Sequence, residues 1–161
     1  MTNKPILCLD FDGVIHSYTS GWKGPRNIPD PAIPGALEFI VNMQDHFSVH
    51  IFSSRSNYIF GRRAMKKWLY KEFKKINNSR TYSGELKDIP EWLSKRIPFD
   101  FGEPFYISFE YYIKDVISNI KFPKHKPPAL LTIDDRAIQF KGEWPTLDFI
   151  QTFKPYKISN F

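Results

Sequence analysis

Short apolar runs alternate with longer segments in which apolar residues recur at helical spacing. Residues 6–9, 48–52 and 129–133 are rich in β-forming side chains and have the length of buried strands. Residues 31–44 and 58–76 have the periodicity of helices that bury one face. This alternation predicts an α/β fold with a mostly parallel sheet that is flanked by helices.

Weaker patterns predict further elements in the second half of the chain. Residues 117–122 are predicted to form another strand, and residues 137–140 a short last strand before a terminal helix at 146–152. Helices are also expected at 90–95 and 109–120, within a stretch dense in aromatic residues. The expected helix and the expected strand overlap at residues 117–120.

Length and composition indicate one compact domain over residues 1–161. The chain is 42% hydrophobic and 17% aromatic, which supplies enough apolar surface for a core and argues against disorder. Its single cysteine, Cys8, is expected to be a small buried side chain and cannot form a disulfide within the chain. No apolar run approaches the roughly 20 residues of a membrane helix, and the amino terminus lacks a signal-peptide pattern, so a cytoplasmic location is expected.

Carboxylates directly follow two of the predicted strands. Asp10 and Asp12 come after the first strand, and Asp134 and Asp135 come after residue 133. In an open parallel sheet, ligands bind at the carboxyl ends of the strands. Carboxylates that meet there repel one another unless a cation or a shared proton intervenes, and their hard oxygen atoms suit Mg²⁺. The sequence therefore predicts a metal site at this edge.

Donors for a phosphate group are also present in this pattern. Ser53, Ser54 and Arg55 follow the predicted strand at 48–52, and Lys126 lies shortly before the second acidic pair. Hydroxyl, guanidinium and ammonium groups are the donors that a phosphate needs. Arg136 is expected to form an ion pair that orients the acidic pair. The predicted metal site is thus expected to handle phosphate as well.

In chain order, these residues resemble the four motifs of the haloacid dehalogenase (HAD) superfamily of phosphotransferases. The motifs are Asp10-Phe11-Asp12-Gly13-Val14, a serine after a strand, a lysine, and an acidic pair after a strand. The resemblance covers roughly residues 5–59 and 122–156. It is strongest to small phage and bacterial HAD phosphatases and weaker to deoxyribonucleotidases. It implies a HAD-like Rossmannoid fold, Mg²⁺ as cofactor, and a bacterial or phage-infected cell as the source.

The resemblance also implies catalytic roles. Asp10 would be the nucleophile that forms an aspartyl-phosphate, and Asp12 would protonate the leaving oxygen and later deprotonate water. Ser53 and Lys126 would hold the phosphoryl oxygens, with Lys121 and Lys124 as rivals for the lysine role. The implied metal set comprises Asp10, Asp12, Asp134 and Asp135, although the sequence leaves open which of the last two ligates directly.

Other residues are expected to contact the substrate or shape access to it. Gly13 would let the backbone approach the phosphate, and Ser54 and Arg55 would donate to it. His16 could contact substrate or be an ordinary hydrogen-bonded loop histidine. Residues 17–31, which we call the flap, lie where HAD proteins carry a mobile loop, and Trp22 within it could cover a base or sugar or simply pack on the surface. Residues 77–119 are expected to form a small helical lid or a homodimer surface.

The net charge of +6 suits an anionic substrate. Basic residues cluster on the predicted helix at 58–76, where a solvated helix face is favoured over a nucleic-acid surface. They are Arg62, Arg63, Lys66, Lys67, Lys71, Lys74 and Lys75. The expected function is Mg²⁺-dependent hydrolysis of phosphomonoesters, with a deoxynucleoside monophosphate as the preferred substrate. The alternatives are a polynucleotide end phosphatase and a noncatalytic module that binds phosphate or nucleic acid.

Overall fold

A three-stranded parallel sheet forms the centre of the molecule in the computed structural model. The structure describes residues 4–76, 90–97, 105–139, 141–154 and 156, and for residues 105–108 it describes the backbone alone. Strand β1 (Ile6–Leu9) lies between β2 (Ser48–Ile51) and β3 (Leu131–Ile133). Both pairings are parallel, with Leu7 opposite Val49 on one side and Leu131 on the other. All three strands therefore end at the same edge.

Helices connect and cover these strands, as the sequence predicts. They are α1 (Ala36–Met43), α2 (Ile59–Ile76), α3 (Glu91–Ser94), α4 (Phe105–Asn119) and α5 (Leu147–Thr152). Helix α1 begins later than residue 31 because the chain there still bonds to the loop after β1, with the N–H of Ile33 donating to the carbonyl of Ile15, 2.8 Å away. Gly35, at a φ of 79°, then turns the chain into the helix. The molecule is thus an α/β protein whose sheet is compatible with a Rossmann-like arrangement.

One hydrophobic core joins the sheet to the helices. The side chains of Leu7, Leu9 and Ile51 are at most 2% exposed and pack in the same cluster as apolar residues of α2 and α4. The contributors from these two helices are Met65, Trp68, Leu69, Phe73, Phe109, Ile113, Val116 and Ile117. Each such side chain contributes about 1.5–3 kcal/mol through burial. Cys8 is 1% exposed, which confirms the expectation that it is buried.

The strand predicted at residues 117–122 is wrong. Helix α4 continues to Asn119, because Ile113, Val116 and Ile120 lie at helical spacing and all reach the core. Only Lys121 joins the sheet, with its N–H on the carbonyl of Val49 at 3.0 Å and its own carbonyl accepting from the N–H of Ile51 at 2.8 Å. The predicted helix at 109–120 is confirmed and begins earlier.

The short strand predicted at residues 137–140 is also not found. Residues 137–139 are exposed and have no regular structure, and residue 140 lies outside the described part. Of the insertion expected at 77–119, helices α3 and α4 are described, whereas 77–89 and 98–104 lie outside the described residues. No helix in the described ranges is long and apolar enough to cross a membrane.

Candidate active site

A cavity of about 250 Å³ lies at the carboxyl edge of the sheet. Six residues that the sequence selects as candidates line it: Asp10, Asp12, Ser53, Ser54, Lys126 and Asp134. The remaining lining residues are Cys8, Tyr18, Phe52, Thr132 and Arg136. The parallel strands bring together three motifs that are distant in sequence, because the residues that follow β1, β2 and β3 all reach the same edge.

A larger open cleft of about 920 Å³ lies elsewhere, where β1 and β2 begin. Ile6 and Ser48 line it together with Lys4, His50 and Lys121. None of its lining residues is acidic, so it offers no carboxylate for a metal or for acid–base chemistry. The smaller cavity is therefore the candidate active site.

Three carboxylates form a compact cluster beside this cavity. Oxygen atoms of Asp10, Asp134 and Asp135 all lie within 4.8 Å of one another. The backbone fixes this approach, because the N–H of Asp10 donates to the carbonyl of Ile133 at 2.9 Å and so ties the end of β1 to the end of β3. Oδ1 of Asp135 is buried and has no hydrogen-bond partner among the described residues. An all-oxygen set with a buried, unpaired oxygen atom fits a hard divalent cation, of which Mg²⁺ is one.

Burial raises the pKa of Asp10 to about 7. The N–H of Phe11 donates to its Oδ1 at 2.7 Å and opposes this rise, whereas the charge of Asp134 adds to it. Burial also raises the pKa of Asp135, against the opposing charge of Arg136. Carboxylates that are this difficult to ionise are expected where a cation normally compensates their charge.

We expect the metal-free protein to lose stability as the pH rises from about 4 to about 7. Folded Asp10 holds its proton more tightly than the unfolded chain does, so deprotonation in this range favours unfolding. Asp10→Asn should remove this slope and leave the variant more stable than the wild type at pH 8, by up to about 4 kcal/mol. Urea unfolding of both proteins in a chelator, across this pH range, measures the difference. A difference that does not vary with pH would contradict the assignment.

Asp12 is held by two buried side chains and lies outside the three-carboxylate cluster. Nε of Arg55 donates to its Oδ2 at 2.9 Å and its Oδ1 at 3.1 Å, and Nδ1 of His16 lies 2.9 Å from Oδ1. The backbone N–H of Asp30 donates to Nε2 of His16 at 3.2 Å, so the ring of His16 joins Asp30 to Asp12. The geometry groups Asp12 with Arg55 and His16 rather than with the metal set implied for it.

Arg55, His16 and Trp22 do not line the cavity, although they are predicted to contact substrate. Arg55 and His16 are completely buried and contact Asp12 instead. Trp22 is 45% exposed on the flap, and its ring packs against the guanidinium of Arg55, with 4.7 Å from the ring centroid to Cζ. In this structure the first two residues position Asp12, and substrate contact by any of the three remains a prediction.

Position 13 must be glycine because Asp135, which is distant in sequence, lies directly against its backbone. Its φ is 94°, and a Cβ atom there would lie 2.6 Å from Oδ2 of Asp135. A side chain at this position would therefore push Asp135 out of the acidic cluster. The close approach seen at this glycine is to a carboxylate, and its expected approach to a phosphate remains a prediction.

Ser53 caps the 3-10 turn Ser54–Asn57 that follows β2. Its Oγ accepts from the N–H of Arg55 at 3.1 Å and donates to Sδ of Met65 at 3.9 Å, a weak partner. The hydroxyl proton is therefore easily redirected to an anion in the cavity. Ser54 and Lys126 line the same cavity from exposed positions, where both can reach a ligand without desolvation.

Four of the lining residues are not among the candidates from sequence: Cys8, Tyr18, Phe52 and Thr132. Cys8 and Thr132 are paired neighbours in β1 and β3, so their positions follow from strand register alone. Burial raises the pKa of the Cys8 thiol, and nearby Lys126 opposes this shift.

Arg136 is predicted to form an ion pair with the acidic residues, and its Nε lies 3.5 Å from Oδ2 of Asp135.

Several basic residues of α2 are exposed, which both a solvated helix face and a nucleic-acid surface require. Lys66, Lys67 and Lys71 are exposed, whereas Arg62 is half-buried and donates to the carbonyl of Ser56. Lys75 pairs with Glu72 of the same helix at 2.6 Å.

We compared the chain with family models, with curated proteins and with solved structures, and none of the three comparisons found a match.

Proposed function

We propose that this protein is a Mg²⁺-dependent phosphomonoester hydrolase of the HAD type that acts through an aspartyl-phosphate. The observation that carries the proposal is the meeting of Asp10, Asp12, Ser53, Lys126 and Asp134 in one cavity. This chemistry requires a nucleophile, a proton donor, two groups that donate hydrogen bonds to the phosphate oxygens, and a metal ligand. The sequence motifs that resemble the HAD family supply the same residues in the same order.

The first half-reaction transfers the phosphoryl group to the protein. Lys126 and Ser53 hold the phosphoryl oxygens while a carboxylate oxygen of Asp10 attacks phosphorus. The bond from phosphorus to the ester oxygen breaks, and Asp12, which starts this step as the carboxylic acid, gives its proton to that oxygen. Mg²⁺, when bound by Asp10, Asp134 and Asp135, would supply positive charge that offsets the charges of carboxylate and phosphate.

The second half-reaction restores the protein. Asp12, now a carboxylate, takes a proton from water, and the resulting hydroxide oxygen attacks phosphorus. The bond between phosphorus and Asp10 breaks, and inorganic phosphate leaves with Asp10 regenerated. The proton that Asp12 lost in the first half is thereby returned, so both carboxyl groups end as they began.

We propose a nucleoside monophosphate, preferably a deoxynucleotide, as substrate. A cavity of about 250 Å³ accommodates a phosphate group but not a whole nucleotide, so the remainder of the substrate would extend toward the surface. The half-exposed ring of Trp22 on the flap offers an aromatic surface for a base. The choice of deoxynucleotides rests on the sequence resemblance.

A second candidate is a phosphatase that acts on the ends of polynucleotides. The exposed lysines of α2 favour it, because a row of cations on one helix can contact successive backbone phosphates.

A noncatalytic phosphate-binding module is the third candidate. It would not require Asp10 and Asp12, which contribute only negative charge to an anion-binding cavity.

Hydrolysis of a phosphate-ester panel, in Mg²⁺ and in a chelator, tests the proposal. We expect Mg²⁺-dependent release of phosphate from deoxynucleoside monophosphates, with little dependence on salt. An end-phosphorylated oligonucleotide that is hydrolysed well at low salt and poorly at high salt would favour the second candidate, since several phosphate contacts give a steep salt dependence. Phosphate binding without any hydrolysis would favour the third.

A further inference from the structure

Arg55 is the largest side chain that the core buries completely, and it is charged. Its Nε donates to both carboxylate oxygens of Asp12. A buried guanidinium is retained when it makes several fixed contacts at once, because isolated burial of its charge is costly. Its remaining contacts therefore show what else it holds in place.

Those remaining contacts are with the flap. Nη1 of Arg55 donates to the carbonyl of Gly24 at 2.7 Å and to the carbonyl of Asn27 at 3.2 Å. Cζ of the guanidinium lies 4.7 Å from the centre of the Trp22 ring. Nη2 is buried and has no hydrogen-bond partner in the described part of the chain. The flap thus closes over the guanidinium with two backbone carbonyls and one aromatic ring.

The carboxyl end of the flap is fixed separately. Ser20 donates its N–H and its hydroxyl to Asp30, at 2.9 and 2.6 Å, and Nε1 of Trp68 donates to the carbonyl of Asp30 at 3.1 Å. His16 joins Asp30 to Asp12 from this side. Of the flap contacts described here, the one that runs through Arg55 connects residues 22–27 to Asp12.

We propose that Arg55 is a positioning residue that couples the flap to Asp12, so that Asp12 is aimed at the leaving group while the flap is docked on the guanidinium. This inference rests on the proposed function, because it takes Asp12 as the proton donor. Arginine is required because one planar group donates along two directions, to Asp12 through Nε and to the flap through Nη1. A lysine ammonium at the same place cannot span both. Movement of the flap, which admits the substrate, is thereby linked to the orientation of the Asp12 side chain that protonates the leaving group.

A series of aryl phosphates tests the proposal, with Arg55→Lys as the variant. Esters with poor leaving groups depend on a proton donor, and esters with good leaving groups do not. We expect kcat/KM for phenyl phosphate to fall on the order of 10²-fold, whereas that for dinitrophenyl phosphate changes less than about threefold. Asp12→Asn should show the same pattern, and the double variant should be no worse than Asp12→Asn alone. Arg96→Lys, at an exposed ion pair with Asp45, is the matched control.

An equal loss on every ester would overturn the proposal, because damage to the fold does not depend on the leaving group. Trp22→Leu provides a second variant at an exposed position that leaves the Arg55–Asp12 pair in place. It should produce the same dependence on leaving group to a smaller extent. If Arg55→Lys does not fold, Trp22→Leu decides alone. The proposal is then overturned if kcat/KM of Trp22→Leu depends on the leaving group as that of the wild type does.

Limited proteolysis separates this inference from the proposed function. Trypsin can cut the flap after Lys23 and Arg26, both of which are exposed. If Arg55 joins Asp12 to the flap, Asp12→Asn should speed these cuts about threefold or more. The midpoint of global unfolding should not fall enough to explain the faster cleavage. Unchanged flap cleavage in Asp12→Asn overturns the coupling even if the wild type is an active phosphatase. Faster cleavage in a protein that hydrolyses no ester supports the coupling and removes the proposed function alone.

Discussion

Asp10→Asn is expected to abolish phosphate release while leaving the fold intact. The amide has nearly the shape of the carboxylate but cannot attack phosphorus, and it removes one anionic oxygen from the cluster with Asp134 and Asp135. Loss of a covalent nucleophile reduces turnover by at least about 10⁴-fold. Steady-state hydrolysis of nitrophenyl phosphate in Mg²⁺ measures this loss.

The covalent intermediate gives a second readout of the same variant. Wild-type protein quenched in acid during turnover should carry phosphate that hydroxylamine releases, as expected for an acyl phosphate, and Asp10→Asn should carry none. Asp115→Asn, an exposed aspartate on α4, is the matched control and should behave as the wild type. Near wild-type turnover in Asp10→Asn would exclude the aspartyl-phosphate mechanism.

Lys126→Ala is expected to reduce both phosphate binding and turnover, with a loss in kcat/KM of about 10²–10³-fold. Its ammonium lies at the cavity that contains three aspartates, where it can offset the charge of the phosphate and of the nucleophile together. Because Lys126 is exposed, the substitution should leave stability almost unchanged. Kinetics at varied substrate, together with competition by inorganic phosphate, separate binding from turnover.

Lys124→Ala and Lys121→Ala are the controls for this prediction. Lys121 pairs with the edge of β2 and lines the cleft where the strands begin, and Lys124 lines neither cavity. Both variants should keep activity within a few-fold of the wild type. If either control lost more activity than Lys126→Ala, the phosphate-binding lysine would have to be reassigned.

The central strands and the position of the candidate site were predictable from sequence. Apolar runs of strand length that end in Asp10, Ser53 or Asp134 fix both the sheet and the edge at which those residues meet, since parallel strands share one carboxyl end. The helical stretch at 117–119 was not predictable as helix from its own residues. A short apolar run fits either element, and the deciding information is the periodicity that begins at Ile113.

The contacts of Arg55 were beyond sequence reasoning for a different reason. A guanidinium beside two serines after a strand has the composition of a phosphate site, so its chemistry alone points into the cavity. Its burial depends on Asp12, which lies 43 residues away, and on backbone carbonyls of the flap, which have no side-chain signature. The same holds for Gly13, whose need for glycine arises from the distant Asp135.

Cys8 has a consequence for how inhibitors would act on the proposed phosphatase. Cysteine-dependent phosphatases attack phosphorus with a thiolate, and their reactive thiols have lowered pKa values. The Cys8 thiol borders the cavity with the opposite shift, a raised pKa, and it is 1% exposed. Alkylating agents and mild peroxide should therefore leave phosphate release intact, whereas oxyanions that imitate a five-coordinate phosphorus should block it. The proposed hydrolysis would therefore continue under oxidative conditions that inactivate thiolate enzymes.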